Sequence, residues 1–384
     1  MKITKVEAIP LSAPIKKAIM DSRLRYTKRE ALLVCVETDS GIYGIGESAI
    51  HGGGMRGVAC EVEELGRWIE GENPLYIERI WEMLYQRSMQ HGRRGVAIMA
   101  ISGIDIALWD ILGKVANLPL YKLLGAFRDK IPAYASAGFY AEGKDVKRLS
   151  EEMRSYIDKG FKAVKMKVGR KPSPLLPDHR VCYTSLDEDL ARVEAVRKAI
   201  GEDVVLMLDA NNAWELKEAT QAINKFKAFN PYFTEEPLAT DDVEASAILT
   251  QNIDIPVAGY ETAYTRFEFR RLIEKRAVDI VQPDVSWAGG ITEARKIATI
   301  ASSYNMPCIP HSFSSAVNLV ATLHFLASIP NSRYIELDQN PNPLRENLLT
   351  EPIFIDSSGN LQVPDKPGLG IELNEDVLNC YRVS

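Results

Sequence analysis

Residues 204–209, 232–235 and 257–261 read Val-Val-Leu-Met-Leu-Asp, Tyr-Phe-Thr-Glu and Val-Ala-Gly-Tyr-Glu. Each stretch is a short apolar run that ends in an acid, and the acids Asp209, Glu235 and Glu261 follow one another at intervals of 26 residues. Amphipathic segments of helical length separate them. Strands that alternate with helices in this way are typical of parallel βα units, whose strands all end at one edge of the sheet. The pattern therefore predicts three neighbouring strands, each with a carboxylate at its C-terminal end.

The same alternation extends outward over residues 131–336. The predicted strands are Ile131–Ser136, Ala163–Lys167, Val204–Asp209, Tyr232–Glu235, Pro256–Tyr260, Ala277–Gln282, Met306–Pro310 and Arg333–Glu336, and the predicted helices include Asp145–Lys159, Asp187–Ile200, Glu215–Phe229 and Ile291–Asn305. Eight strands with about seven helices favour a closed (β/α) barrel over an open sheet, because no glycine-rich phosphate turn follows the first strand. The proline-containing segment Arg170–Ser185 is predicted to be a loop inserted after the second strand, at the rim where barrel enzymes carry their active sites.

The N-terminal third has a different pattern. Ile3–Pro10 and Glu30–Glu37 are apolar runs typical of strands, and turn residues follow the second run. Between about residues 56 and 125 the apolar spacing becomes helical, and the segment Gly95–Lys114 is apolar almost all round, which predicts a buried helix. We therefore expect a separate α+β unit ahead of the barrel.

Composition excludes several classes of protein. The 52 acidic and 46 basic residues give a net charge of −6 without a basic block, so we expect no nucleic-acid partner. No uninterrupted apolar run approaches the length of a membrane span, and the first residues lack the apolar core of a signal peptide, which predicts a soluble cytoplasmic protein without a membrane partner. The five cysteines are scattered without a Cys-x-x-Cys pair, which predicts free thiols and no zinc site.

The three strand-end acids predict a metal site. Neighbouring strands lie about 4.8 Å apart, so the carboxylates of Asp209, Glu235 and Glu261 can converge on one cation, whereas without a cation they would repel one another. Ligation by oxygen alone, with room for water and substrate, suits Mg²⁺. Taken singly, each acid could instead cap a helix or lie on the surface rim.

Basic residues occupy the flanking strands. Lys165 and Lys167 alternate along the second strand and so face the same side, which we predict to be the barrel interior. Mutual repulsion should lower the pKa of each lysine and prepare Lys167 to act as a base; an exposed strand is the alternative interpretation. Asp284 follows the sixth strand and His311 ends the seventh, so the two are predicted to form an acid–base dyad rather than include a purely structural histidine. Glu336 is predicted to end the eighth strand.

Together these residues resemble the enolase superfamily, in its mandelate racemase subgroup. The resemblance covers nearly the whole chain and is carried by the helix Ala100–Lys114, the Lys165-Met-Lys167 pair, the acid triplet with Glu235-Glu236-Pro237, the Asp284/His311 dyad and Glu336. It implies a modified (β/α)₇β TIM-type barrel over residues 126–345, an N-terminal α+β capping domain over 1–125 and a C-terminal segment, 346–384, that returns to the capping domain. It also implies that loops near residues 15–30 and 50–55 close on the substrate.

The resemblance implies a reaction in which a carboxylate substrate loses its α-proton, with one Mg²⁺ per active site supporting the enediolate. Lys167 and the His311–Asp284 dyad would act on opposite faces, Lys165 would neutralise charge, and Glu336 would donate a hydrogen bond to the substrate carboxylate. Ser136 would be a further donor. Dehydration of an acid sugar, such as an aldonate, aldarate or tartrate-like acid, to a 2-keto-3-deoxy acid is the first expectation, and racemisation or epimerisation is the alternative.

Two polar segments are further candidates for substrate binding. His51, in His51-Gly-Gly-Gly54, and Arg93, in His91-Gly-Arg-Arg94, are polar enough to bind substrate, although such segments are often only solvated. The Arg170–Ser185 segment is longer than is usual in the subgroup and is expected to cover the barrel mouth or contact another subunit of a homo-oligomer. Two other functions stay open: a Schiff-base aldolase that uses Lys167, and a non-catalytic binding protein.

Overall fold

The barrel strands all run parallel around one ring. The computed structural model describes residues 1–50, 52–171 and 183–383. The barrel strands are β4 (Lys130–Ser136), β5 (Ala163–Lys167), β6 (Val205–Asp209), β7 (Thr234–Glu235), β8 (Val257–Gly259), β9 (Ile280–Val281) and β10 (Ile335–Asp338). They pair in the order β10-β4-β5-β6-β7-β8-β9. Single parallel bridges from Cys308 to Val281 and to Ser332 close the ring between β9 and β10.

Helices cover the outside of this ring. Those between the barrel strands are α5 (Val146–Asp158), α6 (Leu186–Ile200), α7 (Leu216–Phe226), α8 (Val243–Asn252), α9 (Thr265–Glu274), α10 (Gly290–Ser303) and α11 (Ala316–Ala327), and a short 3₁₀ turn, Lys227–Phe229, extends α7. Counting the Cys308 segment as the seventh strand, this order is (β/α)₇β, which confirms the expected fold class.

The capping unit is an antiparallel sheet packed on helices. Its strands are β1 (Ile3–Met20), β2 (Arg25–Thr38) and β3 (Tyr43–Ser48), in that order, and its helices are α1 (Met55–Ile69), α2 (Ile77–Ser88), α3 (Val96–Ala116) and α4 (Leu120–Leu123). Glycine permits the close packing of β3 on α3, because a Cβ at Gly46 would lie 2.0 Å from the carbonyl oxygen of Gly103. This contact fixes the strand that carries Glu47, whose side chain reaches the barrel.

The α3 helix was expected to be buried, and it is. Of the described helices, Val96–Ala116 is the one whose length and apolar composition would allow it to cross a membrane, but 78% of its most apolar window is buried inside the protein. It packs against β3 and α10 and thus lies between the cap and the barrel. Its apolar character is accounted for by burial in the core.

The C-terminal segment contacts both units. It contains α12 (Pro343–Glu346), β11 (Asn360–Gln362) and α13 (Glu375–Tyr381). The β11 strand pairs antiparallel with the start of β4, while Arg382 forms a bridge with Leu11 of β1. The boundary predicted after residue 125 falls between α4 and β4, whereas the one predicted after residue 345 falls inside α12.

Two strand predictions need correction. The seventh strand was predicted over Met306–Pro310 but is reduced to the bridges at Cys308, because Pro307 and Pro310 have no N–H to donate to a ladder. The eighth strand does not end at Glu336 but continues to Asp338, which pairs with Ser136. The alternation of a strand still places Glu336 and Asp338 on one side and Leu337 on the other.

Candidate active site

A cavity of about 400 Å³ lies at the C-terminal mouth of the barrel. That volume is within the range of small-molecule sites. The barrel contributes four predicted site residues to its lining, namely Lys167, Glu261, His311 and Glu336. The segment between β1 and β2 and the start of β2 contribute Asp21, Arg23, Leu24 and Tyr26, and aromatic walls come from Phe139, Trp287 and Phe313. The 15–30 segment of the cap therefore does lie over the barrel mouth.

The three predicted metal-binding acids lie close together at adjoining strand ends. Asp209 pairs in register with Glu235 across β6 and β7, and Glu261 lies two residues beyond the end of β8. Asp209 and Glu235 are almost completely buried. Burial and the neighbouring charge of Asp209 raise the pKa of Glu235 to about 8, and burial also raises the pKa of Glu261. Burial opposes the ionisation of Asp209 as well, but Lys167 and Lys165 outweigh it and lower its pKa, so Glu235 and Glu261 are the acids whose charge is less fully compensated.

The two lysines supply part of that charge. Lys165 Nζ lies 2.6 Å from Glu235 Oε1, 2.9 Å from Glu336 Oε1 and 3.6 Å from Asp209 Oδ2. Lys167 Nζ donates to Asp209 Oδ2. Both lysines face the barrel interior, as predicted, but the expected lowering of their pKa values by mutual repulsion is wrong. Burial does lower the pKa of each, and Lys165 lowers that of Lys167, yet the carboxylates outweigh both effects and raise the pKa values.

The predicted dyad is formed. His311 Nδ1 lies 2.7 Å from Asp284 Oδ2, and His311 Nε2 lies 3.3 Å from Glu261 Oε2. Burial disfavours the imidazolium, but the adjacent carboxylates, Glu261 first, raise the pKa of His311 to about 10. A carboxylate acts only as an acceptor, so the hydrogen on Nδ1 points to Asp284 and Nε2 is the nitrogen near the cavity.

Glu336 lies between the lysine and histidine groups. Its Oε2 accepts from the backbone N–H of Ser312 at 3.0 Å, and Oε1 faces Lys165. Burial opposes ionisation, but Lys165 and His311 lower the pKa of Glu336 to about 2. In this charge state Glu336 accepts hydrogen bonds, so the donor role expected from the resemblance requires a change in its surroundings and stays a prediction.

The donor set fits a hard divalent cation. Within residues 1–50, 52–171 and 183–383, no three acidic, histidine or cysteine side chains already form a metal cage, because lysine and histidine groups satisfy the carboxylates. The carboxylates of Asp209, Glu235 and Glu261 nevertheless belong to one cluster, in which the pKa values of Glu235 and Glu261 are raised. Burial of Asp209 is outweighed by Lys167 and Lys165, which lower its pKa. Asn211 Oδ1 beside them is buried, and no residue in the described ranges donates a hydrogen bond to it. Oxygen ligands with excess negative charge are those that Mg²⁺ prefers.

The residues predicted to bind substrate do not line the cavity or lie outside the described residues. Ser136 is fully buried at the end of β4, in register with Lys165, but does not line the cavity. Arg93 is exposed and lines an adjoining open cleft instead of the cavity that holds the bases. His51 and most of the Arg170–Ser185 segment lie outside the described residues. The substrate-binding assignments of Ser136, His51 and Arg93 therefore stay predictions.

Asp21 is a cavity residue that the sequence analysis did not single out. Its Oδ1 accepts from the N–H groups of Arg23 and Leu24, each at 2.6 Å, and its Oδ2 accepts from the Tyr26 hydroxyl at 2.7 Å. Asp21 thereby orders the cap segment over the mouth. The polar Asp21-Ser22-Arg23 turn between two strands was the available signal, but its position over the barrel depends on the packing of the two units.

Glu236, in the Glu235-Glu236-Pro237 motif, is a site residue whose role the sequence does not predict. It is buried, its Oε2 accepts from Asn212 Nδ2 at 2.5 Å, and its Oε1 accepts from the backbone N–H of Glu261 at 3.1 Å. Burial and the charge of Glu261 raise its pKa well above the usual value. Glu236 therefore adds a fourth acid to the cluster and fixes the backbone that carries Glu261.

The fold is a (β/α)₇β barrel under an α+β cap, and the site has acids at successive strand ends and two bases at one cavity. These features are those of barrel enzymes that abstract a proton next to a carboxylate. Comparison of the sequence with models of known protein families agrees with this class. Residues 2–125 match the family model of the mandelate racemase / muconate lactonizing enzyme N-terminal domain, and residues 148–377 match that of the enolase C-terminal domain-like family. The chain belongs to the enolase superfamily, in its mandelate racemase subgroup.

Three known proteins show the extent of the similarity. The chain is 41% identical over 348 residues to arabinonate dehydratase of Saccharolobus solfataricus, which covers 90% of this chain and 89% of that protein. It is 35% identical to D-galactarolactone cycloisomerase of Agrobacterium fabrum, over 100% of this chain and 99% of that one. The crystal structure of L-talarate dehydratase from Polaromonas sp. JS666, complexed with Mg and L-glucarate, matches with a TM-score of 0.84 and 31% identity over 100% and 98% of the two chains.

Proposed function

We propose that the protein is a hydro-lyase that removes water from an acid sugar to give a 2-keto-3-deoxy acid, with one Mg²⁺ per active site. The observation that carries this proposal is the presence of Lys167 and His311 in one cavity, beside the acid cluster and Glu336. Relatives named as arabinonate, D-xylonate and D-galactonate dehydratases support the reaction type. The proposed partner is thus a small polyhydroxy carboxylate, while homo-oligomer formation and cytoplasmic location stay predictions.

Asp209, Glu235 and Glu261 would hold the Mg²⁺, which supplies electrostatic stabilisation when the substrate carboxylate gains charge. The remaining chemistry is assigned to side chains of the chain. One base removes the α-proton, and Lys165, buried among the carboxylates, offsets negative charge. The two bases lie on barrel segments three strands apart by the shorter path, β5 and the Cys308 segment, so they reach a bound molecule from different sides.

Elimination completes the reaction. Lys167 takes the α-proton, the β-carbon–oxygen bond breaks, and the His311 imidazolium gives its Nε2 proton to the departing hydroxyl, which leaves as water. The resulting enol tautomerises to the 2-keto acid without an oxidant or reductant. His311 is suited to the step because Asp284 holds its other nitrogen and stabilises the imidazolium.

An isomerase is the second candidate. Two bases at one cavity can also remove and return a proton on opposite faces, and relatives include a cycloisomerase with 35% identity. Formation of a Schiff base on Lys167 is disfavoured, because an aldolase of that kind gives no role to the neighbouring acids Asp209, Glu235 and Glu261. The substrate, rather than the strand-end chemistry, decides between elimination and epimerisation.

The test is a screen of C5 and C6 aldonates and aldarates with Mg²⁺, in which 2-keto acid and C2 epimer are both quantified. We expect keto acid from at least one substrate, loss of turnover with EDTA and recovery with added Mg²⁺. His311→Asn should abolish elimination, and the matched control His91→Asn, an exposed histidine paired with Glu61, should retain it. Epimer without keto acid would establish the isomerase instead, and EDTA-resistant turnover would contradict the metal site.

A further inference from the structure

The carboxylate partner of His311 is itself held by a buried set of donors. Asp284 Oδ1 accepts from the N–H of Ser286 at 2.7 Å, from the Ser286 hydroxyl at 2.6 Å and from Asn318 Nδ2 at 2.9 Å. Asp284 Oδ2 faces His311 Nδ1 at 2.7 Å. Asp284, Ser286 and Asn318 are all 0% exposed, so bulk water does not compete for these bonds. The donors on Oδ1 thus fix the direction in which Oδ2 points.

The side-chain amide of Asn318 has one orientation in this network. Its Nδ2 donates to Asp284 Oδ1 and also to the Ser286 hydroxyl oxygen at 2.9 Å, while its Oδ1 accepts from the Ser312 hydroxyl at 2.7 Å. A flipped amide would place its oxygen against the oxygen of a carboxylate, which cannot donate. Asn318 therefore contributes a donor whose position is set by partners on two segments, residues 284–286 and Ser312.

The capping sheet contacts both residues that hold Asp284. Glu47, on β3, accepts from the backbone N–H of Asn318 at 2.8 Å and from the Ser315 hydroxyl at 2.5 Å. Two residues further on, the N–H of Ala49 donates to the backbone carbonyl of Ser286 at 2.9 Å. Glu47 is completely buried, so these bonds join the cap to the barrel without intervening solvent.

We propose that Asn318 is a positioning residue for proton transfer by His311. Together with Ser286 it holds Asp284 so that the imidazole keeps its hydrogen on Nδ1 and presents Nε2 to the cavity, and residues 47–49 of the cap hold Asn318 and Ser286 in place. When Nε2 takes a proton, the imidazolium is stabilised through the same Nδ1–H bond to Asp284. The effect on turnover rests on the proposed function, whereas the geometry of the dyad can be tested separately.

The first experiment observes the dyad directly. Protein labelled with ¹⁵N-histidine and loaded with Mg²⁺ should give a low-field proton resonance for the His311 Nδ1–H bonded to Asp284. Asn318→Leu should move or remove this resonance. The matched control Thr322→Val should leave it unchanged, because Thr322 is buried one turn along the same helix and its hydroxyl has no hydrogen-bond partner among the described residues. An unchanged resonance in Asn318→Leu would overturn the proposal.

The second experiment measures proton exchange separately on the two faces of a bound substrate. Exchange of the C2 proton in D₂O is measured for both C2 epimers of an accepted acid, one of which presents its proton to Lys167 and the other to His311. Asn318→Leu should slow exchange on the His311 face by roughly 10- to 100-fold, the range for lost outer-shell partners. It should change KM and exchange on the Lys167 face by no more than about twofold. Lys167→Ala should slow the opposite epimer.

Equal losses on both faces would show a general structural defect and would overturn the positioning role. If the wild type exchanges neither epimer of any acid tested, the proposed function fails, while the resonance still decides the geometry. Should Asn318→Leu not fold, Ser286→Ala removes another donor from the same oxygen of Asp284. It should produce the same face-selective loss, and a loss on neither face would count against the proposal.

Discussion

His324 provides a quantitative test of how the parts of the chain are joined. It lies on α11 of the barrel, its Nδ1 accepts from the N–H of Tyr121 on α4 at 3.1 Å, and its Nε2–H donates to the carbonyl of Leu369 in the C-terminal segment at 3.0 Å. It is completely buried. Protonation would place a hydrogen on Nδ1 against the N–H of Tyr121, and burial accordingly lowers the pKa of His324 to about 4.

The sign and size of the effect follow from linkage. The unfolded chain has the ordinary histidine pKa of about 6.5, so between pH 6.5 and 4 it binds a proton that the folded protein excludes. The stabilising contribution is complete above pH 6.5 and is lost as the pH falls towards 4. At about 1.4 kcal/mol per pKa unit, lowering the pH from 7.5 to 5.0 should cost about 2 kcal/mol of unfolding free energy.

The assay is urea unfolding at both pH values and one protein concentration, with His324→Gln as the comparison. Glutamine can accept from Tyr121 and donate to Leu369 but does not titrate. The difference in unfolding free energy between wild type and variant should therefore move by about 2 kcal/mol in favour of the variant on going to pH 5.0. Parallel pH dependences for the two proteins would refute the assignment of a buried neutral imidazole.

Two further perturbations test the packing of the cap. Gly46→Ala should lower the unfolding free energy by about 1–3 kcal/mol, because its Cβ would collide with the backbone of Gly103. The control Gly57→Ala, on the exposed face of α1, should raise it by about 0.5–1 kcal/mol. Both are measured by urea unfolding, and equal effects of the two substitutions would contradict the packing. Burial raises the pKa of Asp105 to about 7, so the folded state retains a proton that the unfolded chain has lost, and stability falls as the pH rises from 4 to 7. Between pH 5 and 8, Asp105→Asn should therefore gain about 3 kcal/mol of unfolding free energy relative to wild type. A difference between the two proteins that does not change with pH would rule this out.

The strand-end residues were predictable because a periodic pattern encodes them. A 26-residue interval between acids requires only that each unit contain one strand and one helix, and the parallel arrangement then brings Asp209 and Glu235 into register. The same reasoning placed Lys165 and Lys167 on one face. The alternation of a strand is local information, so the sequence was sufficient for these positions.

The charge state of the lysines was not predictable in the same way. Sequence proximity pointed to repulsion between Lys165 and Lys167, but the larger effect comes from Asp209 and Glu235, which lie one and two strands away in the barrel. Electrostatic energies depend on distances across the barrel, and these distances exist only in the folded chain. The same limit applies to Arg93, whose polar motif gave no indication that it would line a neighbouring cleft.

The hydrogen bonds that hold Asp284 beside His311 were also not predictable from the sequence. Asn318 lies on an apolar helix, and nothing in its local sequence marks it as a partner of Asp284. Glu47 is likewise an acid in a glycine-rich strand whose role depends on the docking of the cap. Residues that position other residues become visible only when segments far apart in sequence are brought together.

The capture of one divalent cation by the acid cluster is the central claim, and a crystal grown with Mn²⁺ in place of Mg²⁺ tests it most directly through anomalous scattering. We predict a single strong anomalous peak per chain, from a cation bound by Asp209, Glu235 and Glu261. We also expect Lys165 to be displaced from Glu235 and Lys167 from Asp209. A map without a peak at those oxygens, with both lysines still paired to them at saturating Mn²⁺, would contradict the account.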